Sequence, residues 1–265
     1  MRLAACLLAF FAACAFAQVQ PIKPPQFGQA GKDVVWLPLP DKQVEKLLDM
    51  ANVTPADFVM DLGSGDGRLV IAAARRGAHA VGVEFNPDLV SYSRSAAAKA
   101  GVADKAEFVQ GDLFAADLSR ASVITLFLLE SMNIKLRPAL LGLKPGARVV
   151  ANTFGLGDWQ PDAIEHYPQD CDAWCAHYLW IVPARIEGLW HAPEGDLSLS
   201  QQYQKLSGSL GRGALSLPLA GSVTGAAIRF KAGGAEYNGS VRGSTIEGTV
   251  VTGSALRPWK AQRSD

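Results

Sequence analysis

The segment Asp61-Leu-Gly63-Ser-Gly65-Asp-Gly67 concentrates the residue types that could do chemistry. Alternating glycines let a backbone turn sharply and approach a ligand closely. A dinucleotide-binding loop uses glycines in the same way, in the pattern G-x-G-x-x-G. Here the third glycine position falls on Arg68, and Gly67 comes one residue early. Asp61 and Asp66 also flank the turn. Carboxylates beside a pyrophosphate repel it, whereas beside a ligand carrying an ammonium and a sulfonium they attract it. S-adenosylmethionine (SAM) is such a ligand. The loop therefore reads as a SAM site built from Asp61, Gly63, Ser64, Gly65 and Gly67.

Two further carboxylates complete the set. Glu84 follows Asp61 by 23 residues, near the ~20 expected for an acidic ribose anchor. One carboxylate can accept from both ribose hydroxyls. Asp112, in Gly111-Asp112-Leu113, stands where a side chain could accept from the adenine amino group, and Phe85 could stack on the base or fill the core. No metal is expected in this site. At the acceptor end, Glu130, Asn133 and Thr153 fall near the ends of the fourth and fifth strands. Glu130 is the candidate for holding or neutralising an amine. Trp159, Trp174 and Trp180 could wall the acceptor or simply pack, and Asp158 and Asp162 read as loop or cap residues. No Ser-His-Asp or Cys-His set is evident in the sequence.

These residues need elements to place them. Asp41 reads as the cap of a helix carrying Val44, Leu47 and Leu48. Phe58–Leu62 is a short apolar run and reads as a buried strand. A helix follows over Arg68–Arg76, then a strand at Ala80–Val83. Asn86 and Pro87 open the next helix, as N-cap and first residue. Strands follow at Glu107–Val109, Ser122–Leu128 and Arg148–Thr153, with a helix over Leu136–Leu143 between the last two. Alternating strand and helix patterns imply an α/β fold: a doubly wound, mostly parallel, Rossmann-like sheet. The three acidic sites then lie at the carboxyl ends of successive strands, where open α/β sheets bind ligands. After about residue 185 the texture changes to Gly-rich alternating runs. They read as a C-terminal antiparallel β appendage, a meander of about six short strands, with Gly239, Gly243 and Gly248 bracketing strands.

Composition agrees with this division. Of 265 residues, 49% are hydrophobic and 19% charged, and 25 basic residues balance 25 acidic ones. That much apolar sequence excludes a disordered chain, and a neutral total disfavours nucleic acid as a partner. The zero is unevenly made: residues 198–265 hold eight basic side chains and only Glu236, Glu247 and Asp265 against them. Residues 1–17 have a charged start, an apolar run and a terminal Ala-Phe-Ala. They read as a signal peptide, with an uncleaved membrane anchor as the alternative. The expected organisation is leader 1–17, linker 18–34, α/β domain 35–187 and β-rich domain 188–265. Export would make cell-envelope association natural. It would also permit a disulfide in Cys171-Asp-Ala-Trp-Cys175. Two free thiols are the next reading, and zinc would need two more ligands, with His166 and His177 nearby.

Val59-Met-Asp-Leu-Gly-Ser-Gly-Asp-Gly-Arg68 resembles the first motif of class I (seven-strand) SAM-dependent methyltransferases, and the resemblance runs from about Val35 to Pro183. Trp36–Pro40, Thr125–Leu129 and Leu136–Pro138 are similar to a narrower group. These are the mitochondrial protein-lysine methyltransferases acting on the adenine nucleotide carrier and an ATP synthase subunit, with their bacterial relatives. The resemblance implies a seven-strand sheet, SAM as cofactor and a protein lysine as acceptor. Glu130-Ser131 stands where that family often carries Pro, which leaves the acceptor open. The competing function is a non-catalytic exported module that keeps the fold and binds a partner through its β tail.

Overall fold

In a computed structural model, the described residues are 23–167, 174–212 and 215–264. The expected leader and its cleavage site lie outside them, as does Cys171. Cys175 is disulfide-bonded. Among the described residues no group of three His, Cys, Asp or Glu could hold a metal, and no helix is long and apolar enough to cross a membrane.

The first unit alternates strand and helix: α1 Asp41–Met50, β1 Phe58–Leu62, α2 Arg68–Arg75, β2 His79–Glu84, α3 Pro87–Lys99, β3 Ala106–Gln110, β4 Val123–Leu126, α4 Glu130–Leu140 and β5 Arg148–Asn152. Two more strands, β6 Ala163–His166 and β7 Ala176–Ile181, complete a seven-strand sheet of order β3-β2-β1-β4-β5-β7-β6. β1–β5 are parallel, and β7 pairs antiparallel to both β5 and β6. Strand side chains alternate between the faces. Val59 joins α1, α2 and α3 in one core, while Met60 and Leu62 join Met132, Leu136 and Leu140 of α4 in the other. The order of strands reverses at β1 and β4. A crevice opens there at the carboxyl ends of the strands.

Three local expectations are corrected. Pro40, not Asp41, is the N-cap of α1, and Asp41 is its first residue. The fourth strand is shorter than Ser122–Leu128, ending at Leu126. α4 begins at Glu130, six residues before Leu136, and contains Pro138. Pro138 lacks only its own N–H, so the helix forgoes the single bond that would run to the Ile134 carbonyl, and the early start turns Asn133 into the interior, where it is fully buried.

The tail is a closed eight-strand antiparallel barrel rather than a meander of six. Its strands are β8 Gly188–Ala192, β9 Gly195–Gln202, β10 Lys205–Arg212, β11 Leu215–Thr224, β12 Ala227–Ala232, β13 Ala235–Arg242, β14 Thr245–Thr252 and β15 Ala255–Arg263. β15 closes onto β8 through Gln262↔His191 and Arg263↔Trp190. Trp190, Phe230, Tyr237 and Trp259 fill the interior, with the Phe230 and Tyr237 rings stacked at 4.5 Å. Inward residues are apolar and outward ones mostly polar, as in the strict alternation of β12, the reverse of a membrane-spanning barrel. Gly243 sits in a turn with positive φ, but Gly239 and Gly248 face each other inside strands. A Cβ on Gly248 would overlap the Asn238 carbonyl. These glycines permit the close crossing that curls a sheet into a small barrel. The basic surplus is also tempered, since Arg229 pairs with Glu236 and Lys260 with Glu247.

The two units are seamed together. The Tyr203 ring stacks on Trp159 at 5.8 Å, and its hydroxyl donates to Asp158 at 3.0 Å. Arg137 of α4 also pairs with Asp158. Gly248→Val should lower the thermal midpoint by several degrees through overpacking of about 1–3 kcal/mol. Scanning calorimetry of the variant against the native chain checks this.

Candidate functional site

The cleft lies above the ends of β1, β2 and β4. Asp61, Glu84, Asp112, Phe85 and the loop residues Gly63, Ser64 and Gly65 line it. Gly63, Gly65 and Gly67 all have positive φ. Gly67 stands behind the loop as the N-cap of α2, packed against Phe108 and Ser93, and does not face the cleft. Gly82 in β2 is equally constrained: a Cβ there would meet Ser64 and Phe108 at 2.5–2.9 Å. A strand glycine thus lets the loop lie on the sheet, a requirement the loop sequence itself does not reveal.

Asp61 is 3% exposed, and its Oδ1 accepts from the Thr125 hydroxyl at 2.6 Å. The two residues are register partners on β1 and β4. Burial pushes the Asp61 carboxyl up to about 7, with Glu84 and Asp66 adding to the rise and the Thr125 bond opposing it. Glu84 spans the loop: one oxygen accepts from the Gly65 amide at 3.0 Å, the other from the Asn86 amide at 2.8 Å. Each oxygen keeps a further lone pair for a ligand hydroxyl. Among the described residues the buried Ser64 hydroxyl has no partner. Asp66 is not available as read from the sequence, because the Arg68 guanidinium holds it in a bidentate pair.

Asp112 caps a short 3-10 turn through the Phe114 amide and is paired with Lys32 at 2.7 Å. Those bonds hold its carboxyl below the usual range. The Lys32 ammonium also sits 5.0 Å from the centre of the Phe85 ring. Phe85 is half exposed in the cleft, so its face is available for stacking. Lys32 belongs to a strap, residues 28–40, that roofs the cleft. Backbone bonds from Gly28 to Trp36 and from Trp36 to Gln29 fold it. Trp36 lies against Gly65, where any side chain would strike the indole. Neither Lys32 nor Thr125 is distinguishable as a site residue from sequence spacing.

At the acceptor end, Trp159 and Trp180 are core, with the Trp180 indole donating to the Trp159 carbonyl at 2.8 Å. Asp162 accepts from the Ile181 amide. Trp174 instead lines a slot beside the cleft. Glu130 is exposed in the first turn of α4, beside Gly155. His177 is buried, both ring nitrogens have no partner among the described residues, and burial pushes its pKa down to about 4. A Ser-His-Asp chain does exist: His191 bridges Asp196 and Ser264 at 2.7 Å each. All three stand on the barrel's outer wall, where they tie the C-terminus to β8.

A buried carboxylate awaiting a cation, an unpartnered Ser64 hydroxyl, close-approach glycines and two strand-end carboxylates fit SAM. With the sheet order, they define a class I SAM-dependent methyltransferase. A family model described as ANTKMT methyltransferase domain matches residues 61–163. A protein-lysine N-methyltransferase from Saccharolobus islandicus is 41% identical over 134 residues, covering 49% of this chain and 83% of that one. The chain belongs to this family of protein-lysine methyltransferases. The mouse adenine nucleotide translocase lysine N-methyltransferase is 39% identical over 125 residues, 46% of this chain and 54% of that one, so about half of that relative is spanned. Among solved structures, an RNA methyltransferase from Salinibacter ruber with bound S-adenosylhomocysteine (SAH) is 48% identical. It aligns over 57% of this chain and 96% of its own, with a TM-score of 0.54.

The raised carboxyl sets a pH dependence. Folded, Asp61 holds its proton to about pH 7, against an ordinary value of 3.8. Its stabilising contribution is therefore present below 3.8 and lost as pH rises to 7. A cationic ligand favours the charged form, so binding below pH 7 must release a proton. SAM affinity should rise from about pH 5.5 to about pH 8, and Asp61→Asn should flatten that rise. Calorimetry in buffers of different ionisation enthalpy measures the released proton directly.

Proposed function

We propose that this methyltransferase transfers the methyl of SAM to the side-chain amine of a protein lysine, and that it does so after export, in the cell envelope. The observation that carries the acceptor class is the family relationship to protein-lysine methyltransferases. The leader-like first 17 residues support the location.

When bound, SAM supplies a methyl already activated by a sulfonium leaving group, so the protein's work is positioning. Glu84 would offer its free lone pairs to the ribose hydroxyls. Asp61 would offset the ligand's positive charge with its own negative one. Asp112, in exchange for Lys32, would accept from the adenine amino group, and Phe85 would lie against the base. The acceptor amine must be neutral before it attacks. An apolar approach favours that state by raising the cost of the ammonium.

Glu84→Ala should weaken SAM binding at least tenfold by calorimetry, a loss of about 1.4 kcal/mol or more. Failure of clean protein to bind SAM would sink the reading. Labelled-methyl incubation with cell-envelope extract should place label in protein, recovered as methyl-lysine after hydrolysis. Label in RNA would favour instead the acceptor named for the Salinibacter protein. SAM binding with no label in either fraction would favour the non-catalytic module.

A further inference from the structure

We infer that the aromatic slot formed by Phe127, Phe154 and Trp174 is the channel through which the acceptor amine reaches the cofactor. The inference rests on the methyltransferase reading and deepens it, by naming where the alkylammonium chain lies.

Among the described residues the slot is walled by Phe127, Phe154, Trp174, Leu129, Val35 and Leu37, with no charged side chain in the wall. It is not separate from the cofactor cleft. Phe127, Leu128, Val35 and Leu37 line both spaces, so the slot adjoins the cofactor cleft. The Phe127 and Trp174 rings meet edge to face at 5.5 Å. Val35 and Leu129, about half exposed, form an apolar mouth, and the Glu130 carboxylate stands beside it next to the Phe154–Gly155 turn.

The slot is held in shape at some cost. Thr153 and Trp174 are non-glycine residues with φ of 64° and 61°. Such backbone is unfavourable by about 1–3 kcal/mol and persists where the surroundings enforce it. The enforcing groups are two fully buried asparagines. Asn133 Nδ2 donates to the Phe154 carbonyl at 3.0 Å, and Asn152 Nδ2 donates to the Trp174 carbonyl at 2.8 Å. Each holds the main chain of one ring of the slot. Asn133 and Asn152 are thus positioning residues.

The chemistry suits a lysine chain. Four methylenes fit an apolar wall, and ring faces attract an ammonium, methylated or not, by about 0.5–2 kcal/mol. Desolvation in the slot lowers the amine's proton affinity and frees its lone pair for the methyl. Glu130 at the rim draws the charged form in.

A bisubstrate probe tests this: a SAM analogue with nitrogen in place of sulfur, carrying a 2-(butylamino)ethyl arm in place of the methyl. Its Kd is compared with that of SAH, which lacks an arm. In the native chain the arm should tighten binding at least tenfold. Trp174→Ala and Phe154→Ala, at residues that line the slot and not the cofactor cleft, should remove most of that gain while SAH affinity stays within twofold, which also shows that the variants fold. Val35→Lys, at the exposed mouth, should reduce the gain by repelling the amine, and Trp174→Phe should keep most of it. An arm that adds nothing in the native chain, or a gain that survives Trp174→Ala and Phe154→Ala, overturns the slot assignment. Failure of SAH itself to bind overturns the cofactor reading instead, so the two failures are told apart.

Discussion

A carboxylate buried at the centre of the sheet is the constraint around which the first domain is arranged. Asp61 sits at the end of β1, almost without solvent, and its one hydrogen-bond donor among the described residues is the neutral Thr125 hydroxyl. Burying a charge without a cation is costly, and the group responds by holding a proton. Every nearby feature bears on that cost. Thr125 must come from the adjacent parallel strand in register. Gly82 must be bare so that Ser64 can lie across β2. Ser93 holds the loop from behind, donating to the Gly65 carbonyl at 3.0 Å. Glu84 clamps the loop from the front through Gly65. The result is a cradle in which a cationic ligand would supply the missing counter-charge.

The strap over residues 28–40 treats another carboxylate differently. Lys32 pairs with Asp112 and lies over Phe85, the positions that would serve an adenine amino group and ring. A short ionic contact between surface groups is screened by solvent and contributes little, so its exchange for a base is inexpensive. Trp36, braced on Gly65, anchors the strap to the loop it covers. The strap therefore covers both the loop and the positions that would serve the base. Its Val35 and Leu37 wall the cofactor cleft and the slot alike.

The barrel contributes no side chain to either space among the described residues that line them. Its connection is mechanical. Tyr203 stacks on Trp159, and Asp158 ties it to Arg137 of α4. α4 is also the helix that supplies Asn133 to the slot. The small barrel is closed, packed inside with aromatic rings and mostly polar outside, so it needs no partner to satisfy its sheet edges.

Much of the fold is legible in the sequence because it depends on local signals. Glycine spacing, Asn86-Pro87 at a helix start and short apolar runs are properties of neighbouring residues, and they locate the loop, α3 and the strands. Asp61, Glu84 and Asp112 are legible for the same reason: each lies at or just past the carboxyl end of a strand, and parallel strands bring those ends together. The start of α4 is not legible, because Pro138 masks its periodicity and because Asn133, a polar residue, is buried by contacts distant in sequence. The barrel is undercounted because closure depends on β8 meeting β15, more than seventy residues apart. Gly239 and Gly248 look like turn residues, since the sequence of a strand does not show how closely its neighbour passes. The sequence alone thus determined which groups could attract a SAM-like ligand and the order of the strands that carry them. Only the tertiary structure decided that Arg68 neutralises Asp66, that Lys32 covers Asp112, and that Phe127, Phe154 and Trp174 converge beside the cleft. Those outcomes depend on distances between segments far apart along the chain, which packing sets and local residue types do not encode.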